Sequence, residues 1–442
     1  MPPLVRTRLS AMMLLFYSSL GAWAVTIATY LKKPVADGGL NFDSHQVGWI
    51  FSTFAIGGVL ANPLVGLLAD RLFRADRLFA VMSAMCGLFL FGAWQWCELR
   101  EPVLAAAGPD ELKAATDTTF VGLFAVMLAY SLCLQVALPL CSVISLRNLP
   151  DPTRQFSRTR LWGTVGWIAV GLLMGLVIAP VSSQPFLMAG VLAAAVGVYA
   201  LTLPKTPPKG GGKTLGEAFG LPALGLFKRR SFAVYIVCGL MLSVMNQFYG
   251  THGHSYLTAT GWAAAEQWMV IGQVVEVGCM FAIPLLDPKR SMKWLMLAGA
   301  VGGMVRGVAL ASGHPLAVMA VGVPMHGWQF AFYFVTATTF VDRIAPPHLR
   351  ASAQAIAAFV GGGVGPLLGN ALAAQVMEGC RTPAGTDWTA FWLWPLAGCG
   401  LAAAAFGLLF RTPTDSPVPV VVPAVPPRRR HPADEPSKVL GG

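Results

Sequence analysis

The chain has 442 residues, of which 55% are hydrophobic and only 12% are charged. A soluble globular protein carries about 25% charged residues, so this composition excludes a soluble protein. Apolar runs of roughly 18 residues or more recur as far as the last tenth of the chain, which excludes a soluble enzyme with a single membrane anchor. The formal net charge of +11 is spread through short loops, so it does not indicate a nucleic-acid partner.

The apolar runs predict α-helices, because each is continuously apolar over about twenty residues, the length that crosses ~30 Å of hydrocarbon. A transmembrane β-barrel would instead show strands of about ten residues with alternating polarity. We therefore predict an all-α membrane protein with twelve transmembrane helices. The predicted spans are 11–31, 47–69, 78–97, 119–146, 161–180, 185–204, 231–257, 267–286, 294–312, 316–340, 351–377 and 390–410.

The longest interior loop, residues 205–230, is rich in proline, glycine and basic residues and divides the predicted spans into six and six. Two six-helix halves joined by a central basic loop are typical of the major facilitator class, whose halves rock about a site at the membrane midplane. We predict an N-terminal half over 1–204 and a C-terminal half over 231–410. The segment 411–442 has no helical period and is predicted to be a disordered cytoplasmic tail.

The distribution of basic residues favours one orientation in the membrane. With both termini in the cytoplasm, almost all Lys and Arg residues fall in cytoplasmic segments. The exceptions in the external loops are Lys32, Lys33, Arg100, Lys113 and Arg381. We therefore predict a multi-pass protein with both termini cytoplasmic.

Acidic residues are rare within the predicted spans. Glu276, in the middle of the eighth span, is the one deeply placed carboxylate, and the other acids, Glu266 among them, are assigned to loops, tails or span ends. A charged group at that depth costs ~2.5–3.5 kcal/mol, so we predict a functional role for Glu276. Gln273 shares its helix face, and the two side chains suit a hydroxylated ligand. A structural ion pair between Glu276 and Arg306 is the alternative.

Two further spans carry more polar and aromatic side chains than a lipid-facing helix tolerates. Those of the seventh span are Asn246, Gln247, Tyr249, Thr251, His252 and His254. Those of the tenth span, His326, Gln329, Phe330 and Tyr333, recur at i, i+3, i+4 and i+7 and form one face suited to stacking on a flat ring. For each single aromatic, core packing is the alternative. We expect His252 and His254 to be solvated at the membrane interface.

The fifth span opens with a stripe of three functional side chains. Arg160, Thr164 and Trp167 follow i, i+4 and i+7, so a cation, a hydroxyl and an indole lie on one face. An interfacial anchor that reaches the lipid headgroups is the alternative for Arg160. The glycine run 361–363 of the eleventh span lacks the Lys-Ser/Thr of a phosphate loop and is interpreted as a packing and hinge element.

Several motifs resemble those of known transporters. The segment Gly66-Leu67-Leu68-Ala69-Asp70-Arg71 resembles the loop motif between the second and third spans of the major facilitator superfamily. The segments 160–167 (RLWGTVGW), 273–276 (QVVE), 326–330 (HGWQF) and 349–354 (LRASAQ) together resemble the nucleoside:proton symporter family of bacterial inner membranes. The resemblance covers all twelve predicted spans.

This resemblance implies a nucleoside transporter of the bacterial inner membrane, with proton-coupled uptake by alternating access, no cofactor and no metal. The partners would be the nucleoside, protons and the lipid bilayer, and the chain would act as a monomer. The implied substrate-binding residues are Arg160, Thr164, Trp167, Asn246, Gln247, Gln273, Glu276, His326 and Phe330.

Proton coupling is implied for Glu276. Ala331 stands next to Phe330, where the family typically has an Asp implicated in coupling. We therefore expect His326, whose side chain titrates near neutral pH when unperturbed, to act with Glu276.

Other functions are less well supported by the residues. An uncoupled facilitator and a carrier of another hydroxylated solute, such as a sugar, are alternatives within transport. A membrane receptor that binds a ligand and signals is an alternative of a different class. An enzyme is not expected, because no nucleophile, base and orienting group converge in the sequence.

Overall fold

The computed structural model describes residues 2–67, 73–177, 182–208, 215–286, 288–383 and 385–411. Within these residues the chain is almost entirely helical, and the sheet is a short antiparallel hairpin of β1 (Arg381–Thr382) and β2 (Gly385–Thr386). The predicted tail beyond residue 411 lies outside the described residues, as do residues 68–71 of the loop motif.

The helices fall before and after the central loop. Before it are α1 (Pro2–Ala24), α2 (Ile27–Lys32), α3 (Ser44–Leu67), α4 (Ala75–Ala106), α5 (Pro109–Asn148), α6 (Pro152–Val177) and α7 (Gln184–Ala200). From the loop onward are α8 (Leu215–Ala218), α9 (Arg230–Ala259), α10 (Ala265–Ala282), α11 (Pro288–Ala311), α12 (Pro315–Ala317), α13 (Pro324–Gln329), α14 (Thr336–Ile344), α15 (Arg350–Ala358), α16 (Gly365–Gly379) and α17 (Trp388–Leu409). Short 3-10 helices lie at Val35–Asp37, Leu221–Lys228 and Ile283–Leu286.

Eight helical segments in the described part of the chain are long enough and apolar enough to cross a membrane. They are Leu4–Lys32, Ala75–Ala106, Pro109–Asn148, Arg158–Leu176, Arg230–Ala259, Met292–Ala311, Ser352–Gly379 and Trp388–Leu409. The apolar helix α7 is shorter. The chain is therefore a helical, multi-pass membrane protein.

The helices α4 and α5 are longer than the spans predicted for them. Residues 98–106 continue α4, and residues 109–118 begin α5, although both segments were predicted to lie in a loop. An apolar run marks the part of a helix that lies in the hydrocarbon and not the whole helix. The helix can continue into water, because its backbone hydrogen bonds remain satisfied there.

Three helical segments have π-helical hydrogen bonding and lie at Val318–Gly322, Phe330–Val335 and Phe359–Val364. The last contains the glycine run, which is helical and not looped. A Cβ atom at Gly363 would meet Val59 of α3, whereas Gly361 and Gly362 face open space. The glycine run therefore packs closely at one residue and leaves room beside the other two.

Buried apolar side chains form two large clusters that share no residue. The first includes residues from Leu9 to Leu203 and is surrounded by α1–α7, which we call the first-core helices. The second includes residues from Ala223 to Phe410 and is surrounded by α9–α17, which we call the second-core helices. Each group of helices therefore has an apolar core of its own.

Small residues let helices of the two groups approach one another. A Cβ at Gly171 of α6 would lie 3.3 Å from Val270 Cγ2 of α10, and a Cβ at Gly48 of α3 would lie 3.1 Å from the carbonyl oxygen of Asn370 in α16. The boundary between α6 and α10 borders the candidate site, since Gly171 and Val270 both line its cavity.

Candidate functional site

A cavity of about 340 Å³ lies between the first-core and second-core helices, and we call it the central cavity. Trp167 of α6 lines it together with aromatic residues of α1 and α3. On the opposite side it is lined by Gln247 of α9, Gln273 of α10 and His326 of α13. The structure thus brings four of the residues predicted from the sequence to one cavity, where an indole faces two amides and an imidazole.

A second cavity, of about 370 Å³, lies among the second-core helices. Asn246, Gln247 and Phe330 line it, and Phe330 is 38% exposed. Because Gln247 lines both cavities, the second cavity adjoins the central cavity at that side chain. Tyr333 also reaches its wall, but this residue is buried and its hydroxyl donates to the carbonyl oxygen of Tyr235 at 3.2 Å. Core packing therefore accounts for Tyr333.

Arg160, Thr164 and Glu276 line neither of these cavities. The guanidinium of Arg160 lies over the ring of Tyr17 in α1, 4.0 Å from its centroid, and it is near enough to Glu276 for the two charges to interact. Glu276 is buried in α10, and Thr164 is half-buried in α6. These contacts direct Arg160 into the protein, so they disfavour the alternative in which it anchors to lipid headgroups.

Arg306 of α11 is a buried cation whose hydrogen-bond partners in the described structure are uncharged. Its Nη1 donates to Asn246 Oδ1 at 3.1 Å and lies 3.2 Å from His326 Nδ1. Its guanidinium also lies over the ring of Tyr249, 5.2 Å from the centroid. The alternative in which Arg306 pairs with Glu276 is therefore wrong, because Arg306 is held by α9 and α13.

The contact with Arg306 determines where His326 carries its proton. A guanidinium has only donors, so Nδ1 of His326 must be the acceptor and cannot carry a hydrogen in this arrangement. His326 is therefore neutral, with its proton on Nε2, and its ring stacks on Tyr249 at 4.9 Å between centroids. A second positive charge on His326 would adjoin Arg306. This geometry opposes a proton-coupling role for His326, which stays a prediction for experiment.

Ala331 lines neither cavity. It is completely buried in a small apolar cluster with Cys279, Leu295 and Phe332. A carboxylate at this position would lose its hydration without gaining a polar partner from the cluster. The surroundings of residue 331 are therefore adapted to an apolar side chain.

Polar contacts join the two groups of helices at the end of the molecule that carries β1 and β2, which we call the hairpin end. The backbone nitrogen of Ser44, at the start of α3, donates to Glu378 Oε1 of α16 at 3.0 Å. The hydroxyl of Thr29 in α2 lies 2.6 Å from Nδ1 of His254 in α9. Hydrogen bonds therefore connect first-core and second-core helices at the hairpin end.

An acid–histidine pair at this end was not predicted from the sequence. Glu266 lies in the first turn of α10, not in a loop, and lines the central cavity. Its Oε2 is 3.0 Å from Nε2 of His254. His252 and His254 are 1% and 5% exposed, so the expectation that they are solvated was wrong. One feature of the sequence could have predicted this pair. The connection 260–264 is short, so the start of α10 must lie beside the end of α9.

The family model and the relatives that match this chain belong to nucleoside transport proteins. A family model described as "Nucleoside H+ symporter" matches residues 4–105 and 103–415. The putative nucleoside transporter YegT of Escherichia coli (strain K12) is 31% identical over 424 residues, which cover 91% of this chain and 93% of that protein. The xanthosine permease of the same organism is 26% identical, over 88% of this chain and 92% of its own.

A solved structure has the same fold. The crystal structure of a mutant of the nucleoside transporter NupG superposes with a TM-score of 0.80 at 23% sequence identity. The match covers 92% of this chain and 100% of that chain. The described helices of this chain therefore adopt the same fold as that transporter structure.

Proposed function

Since the chain belongs to the nucleoside H+ symporter family, we propose that it moves nucleosides across a membrane together with protons. The match of the family model over almost the whole described chain carries this proposal. The family and the named relatives are transporters and permeases, not enzymes. The central cavity supports the proposal, because aromatic and amide side chains suit a flat base joined to a hydroxylated sugar.

We propose twelve membrane spans in two six-helix halves, over 1–204 and 231–410, joined by the loop 205–230. Two observations support this division. The two apolar cores share no residue, and a helix or a run of helical segments lies over each predicted span. Two bodies of this kind would expose the central cavity alternately to the two sides of the membrane.

The proposed location is the bacterial inner membrane, with both termini in the cytoplasm and the chain acting as a monomer. The orientation is supported by the positive-inside distribution of Lys and Arg in the sequence. In this orientation the hairpin end faces the outside of the cell. The contacts between Thr29 and His254 and between Ser44 and Glu378 would then close the external side of the transporter.

The proposed nucleoside site extends from the central cavity towards Arg160 and Glu276 on one side and Phe330 on the other. Its members are Arg160, Thr164, Trp167, Asn246, Gln247, Gln273, Glu276, His326 and Phe330. Among these residues, Trp167 and Phe330 would stack on the base, and the amides of Gln247 and Gln273 would bind polar groups. With its proton on Nε2, His326 would be a hydrogen-bond donor to the ligand.

Glu276 is the proposed proton-coupling residue. A carboxylate buried in α10 with Arg160 nearby gains or loses a full charge on titration, and in a low-dielectric site this changes the local electrostatic free energy strongly. Protonation of Glu276 would free Arg160 from its attraction, so proton binding and the position of Arg160 would be linked.

The test is uptake of labelled uridine, adenosine and xanthosine into vesicles that contain the purified protein, with and without an imposed pH gradient. We expect the gradient to drive accumulation in the parent and not in Glu276→Gln, which keeps the shape of the side chain but cannot exchange a proton. Glu111→Gln, at an exposed acid of α5, is the matched control and should accumulate like the parent.

The outcomes separate the alternatives. A labelled sugar is tested in the same vesicles, and its accumulation in place of every nucleoside would overturn the substrate class. Nucleoside equilibration that ignores the pH gradient would identify an uncoupled facilitator. Normal accumulation in Glu276→Gln would remove this residue from the coupling mechanism.

A further inference from the structure

The carboxylate that lines the central cavity belongs to Glu266 and not to Glu276. The side chain of Glu266 is 10% exposed, and the α6 backbone covers it, since a Cβ at Gly175 would lie 2.6 Å from Glu266 Oε1. The carboxylate therefore lies at the boundary between first-core and second-core helices. It is placed where a relative motion of α6 and α10 would change its hydration.

A chain of hydrogen bonds connects Glu266 with α2. Oε2 of Glu266 is 3.0 Å from Nε2 of His254, and Nδ1 of His254 is 2.6 Å from Oγ1 of Thr29. The same hydroxyl oxygen of Thr29 is 3.3 Å from Oγ of Ser255. Both ring nitrogens of His254 are therefore engaged, one by a second-core carboxylate and the other by a first-core hydroxyl.

This chain is satisfied with and without an additional proton on His254. In the neutral form, Nε2–H donates to Glu266 and the Thr29 hydroxyl donates to Nδ1. In the protonated form, Nδ1–H donates to the oxygen of Thr29, whose own hydrogen turns towards Ser255. The pair His254–Glu266 carries a charge of −1 in the first form and zero in the second, and no heavy atom has to move.

The other titratable and charged groups at this end of the described structure lie on α2, α9, α16 and β1. They are Lys32, which interacts electrostatically with His252, and Glu378 and Arg381, which interact with Lys32. The α6 surface contributes the backbone at Gly175. Within the described residues, the ion pair of His254 is with Glu266 alone.

We propose that His254 and Glu266 form a proton-binding site of the transport cycle, and that Thr29 couples its occupancy to closure of the hairpin end. A buried pair with net charge is costly, so the closed hairpin end favours the protonated, neutral pair. Separation of α2 from α9 would remove the Thr29 contact and admit water. Water stabilises the pair in its unprotonated form, which has a net charge of −1. Protonation of His254–Glu266 therefore favours closure of this end. The inference rests on the proposed symport and adds a site to Glu276.

The test uses the full-length protein in vesicles that contain a pH-sensitive dye. Proton entry and labelled uridine entry are measured together across a series of external pH values. We expect the ratio of protons to uridine to fall in His254→Gln and in Glu266→Gln, and the pH dependence of uptake to flatten. A purely structural defect would slow uptake without changing this ratio.

Thr251→Val is the matched control. Thr251 lies on the same helix as His254, and its buried hydroxyl donates to Asn370 Oδ1 at 2.9 Å without involving the pair. This variant loses a buried hydrogen bond of the same kind. It should keep the proton ratio and the pH profile of the parent.

Thr29→Val provides a second, milder change in case the other variants do not fold. It retains the shape of the side chain and removes the hydroxyl, so the pH of half-maximal uptake should shift. A parent-like proton ratio in folded His254→Gln and Glu266→Gln, or a parent-like pH profile in Thr29→Val, would overturn the inference. A parent protein that transports uridine without protons would overturn both this inference and symport, whereas one that transports no nucleoside would refute the proposed function itself.

Discussion

At the scale of single residues, the indole of Trp167 is the side chain whose contribution to binding is most directly testable. It lines the central cavity from α6, opposite the amides of α9 and α10. Loss of one stack between a base and an aromatic ring costs roughly 1–3 kcal/mol. We expect Trp167→Ala to weaken nucleoside binding by about 5- to 150-fold, measured by equilibrium binding to the purified protein.

Trp162 offers a control on the same helix. It is 44% exposed and lines neither cavity, so Trp162→Ala removes the same ring from a position without a proposed ligand contact. Affinity should be close to that of the parent in Trp162→Ala. If Trp167→Ala and Trp162→Ala both bound nucleoside as tightly as the parent, Trp167 would only pack against its neighbours.

The sequence identifies single site residues when their own helix carries the signal. Helical spacing and the resemblance placed Trp167 and Gln273 on useful faces, and both line the central cavity. The role of Arg306 was not predictable in this way, because its partners Asn246 and His326 come from two other helices. Glu266 was missed for a related reason, since an acid at the end of an apolar run resembles a loop residue until its histidine partner is known.

At the scale of elements, the close contact between α10 and α13 depends on Gly327. A Cβ at Gly327 would overlap the carbonyl oxygen of Gly272 and press on the backbone of Glu276. Neither backbone can move without separating the two helices, and overpacking of this kind costs ~1–3 kcal/mol. We expect Gly327→Ala to lower the melting temperature of the purified protein and to impair uptake, because Glu276 lies at the contact.

Gly278 is the matched control for this change, since it lies in α10 and its Cβ would meet no atom within 4 Å. Gly278→Ala should leave the melting temperature unchanged or raise it slightly, because alanine is favoured over glycine in a helix by ~1 kcal/mol. A Gly327→Ala protein as stable as Gly278→Ala would contradict the close approach of α10 and α13.

Hydropathy predicted the presence of helices better than their ends. The apolar runs identified membrane-crossing helices such as α9 and α17, because burial in lipid requires a continuous run of apolar residues. The polar extensions of α4 and α5 and the π-helical segment Phe359–Val364 were not predicted. The extensions lie outside the hydrocarbon, where a helix does not need apolar residues. The π-helical segment differs from an α-helix in its backbone hydrogen bonds, which side-chain hydropathy does not predict.

At the scale of the whole molecule, two separate apolar cores favour motion of two bodies over deformation of one. Side chains within each core are densely packed, and packed cores resist continuous deformation. Contacts between the groups at the hairpin end include hydrogen bonds such as that of Thr29 with His254. Polar contacts of this kind can exchange their partners for water when two bodies separate.

A disulfide across this boundary should therefore stop the transport cycle. Oγ1 of Thr29 in α2 and Oγ of Ser255 in α9 are 3.3 Å apart, so cysteines at both positions should form a disulfide under oxidising conditions. We expect oxidation of Thr29→Cys/Ser255→Cys to abolish uridine uptake and a reducing agent to restore it. Cys133→Ser is included in the background, because Cys133 is half-buried while the other seven cysteines are buried.

The control is a disulfide within one group of helices. Oγ1 of Thr53 in α3 and Oγ of Ser131 in α5 are 3.0 Å apart, and both helices belong to the first core. If the first-core helices move as one body, oxidation of Thr53→Cys/Ser131→Cys should leave uptake close to that of its reduced form. Uptake that persists after complete cross-linking of positions 29 and 255 would show that the hairpin end does not open during transport. Equal inhibition by the two disulfides would instead indicate that the first-core helices rearrange internally.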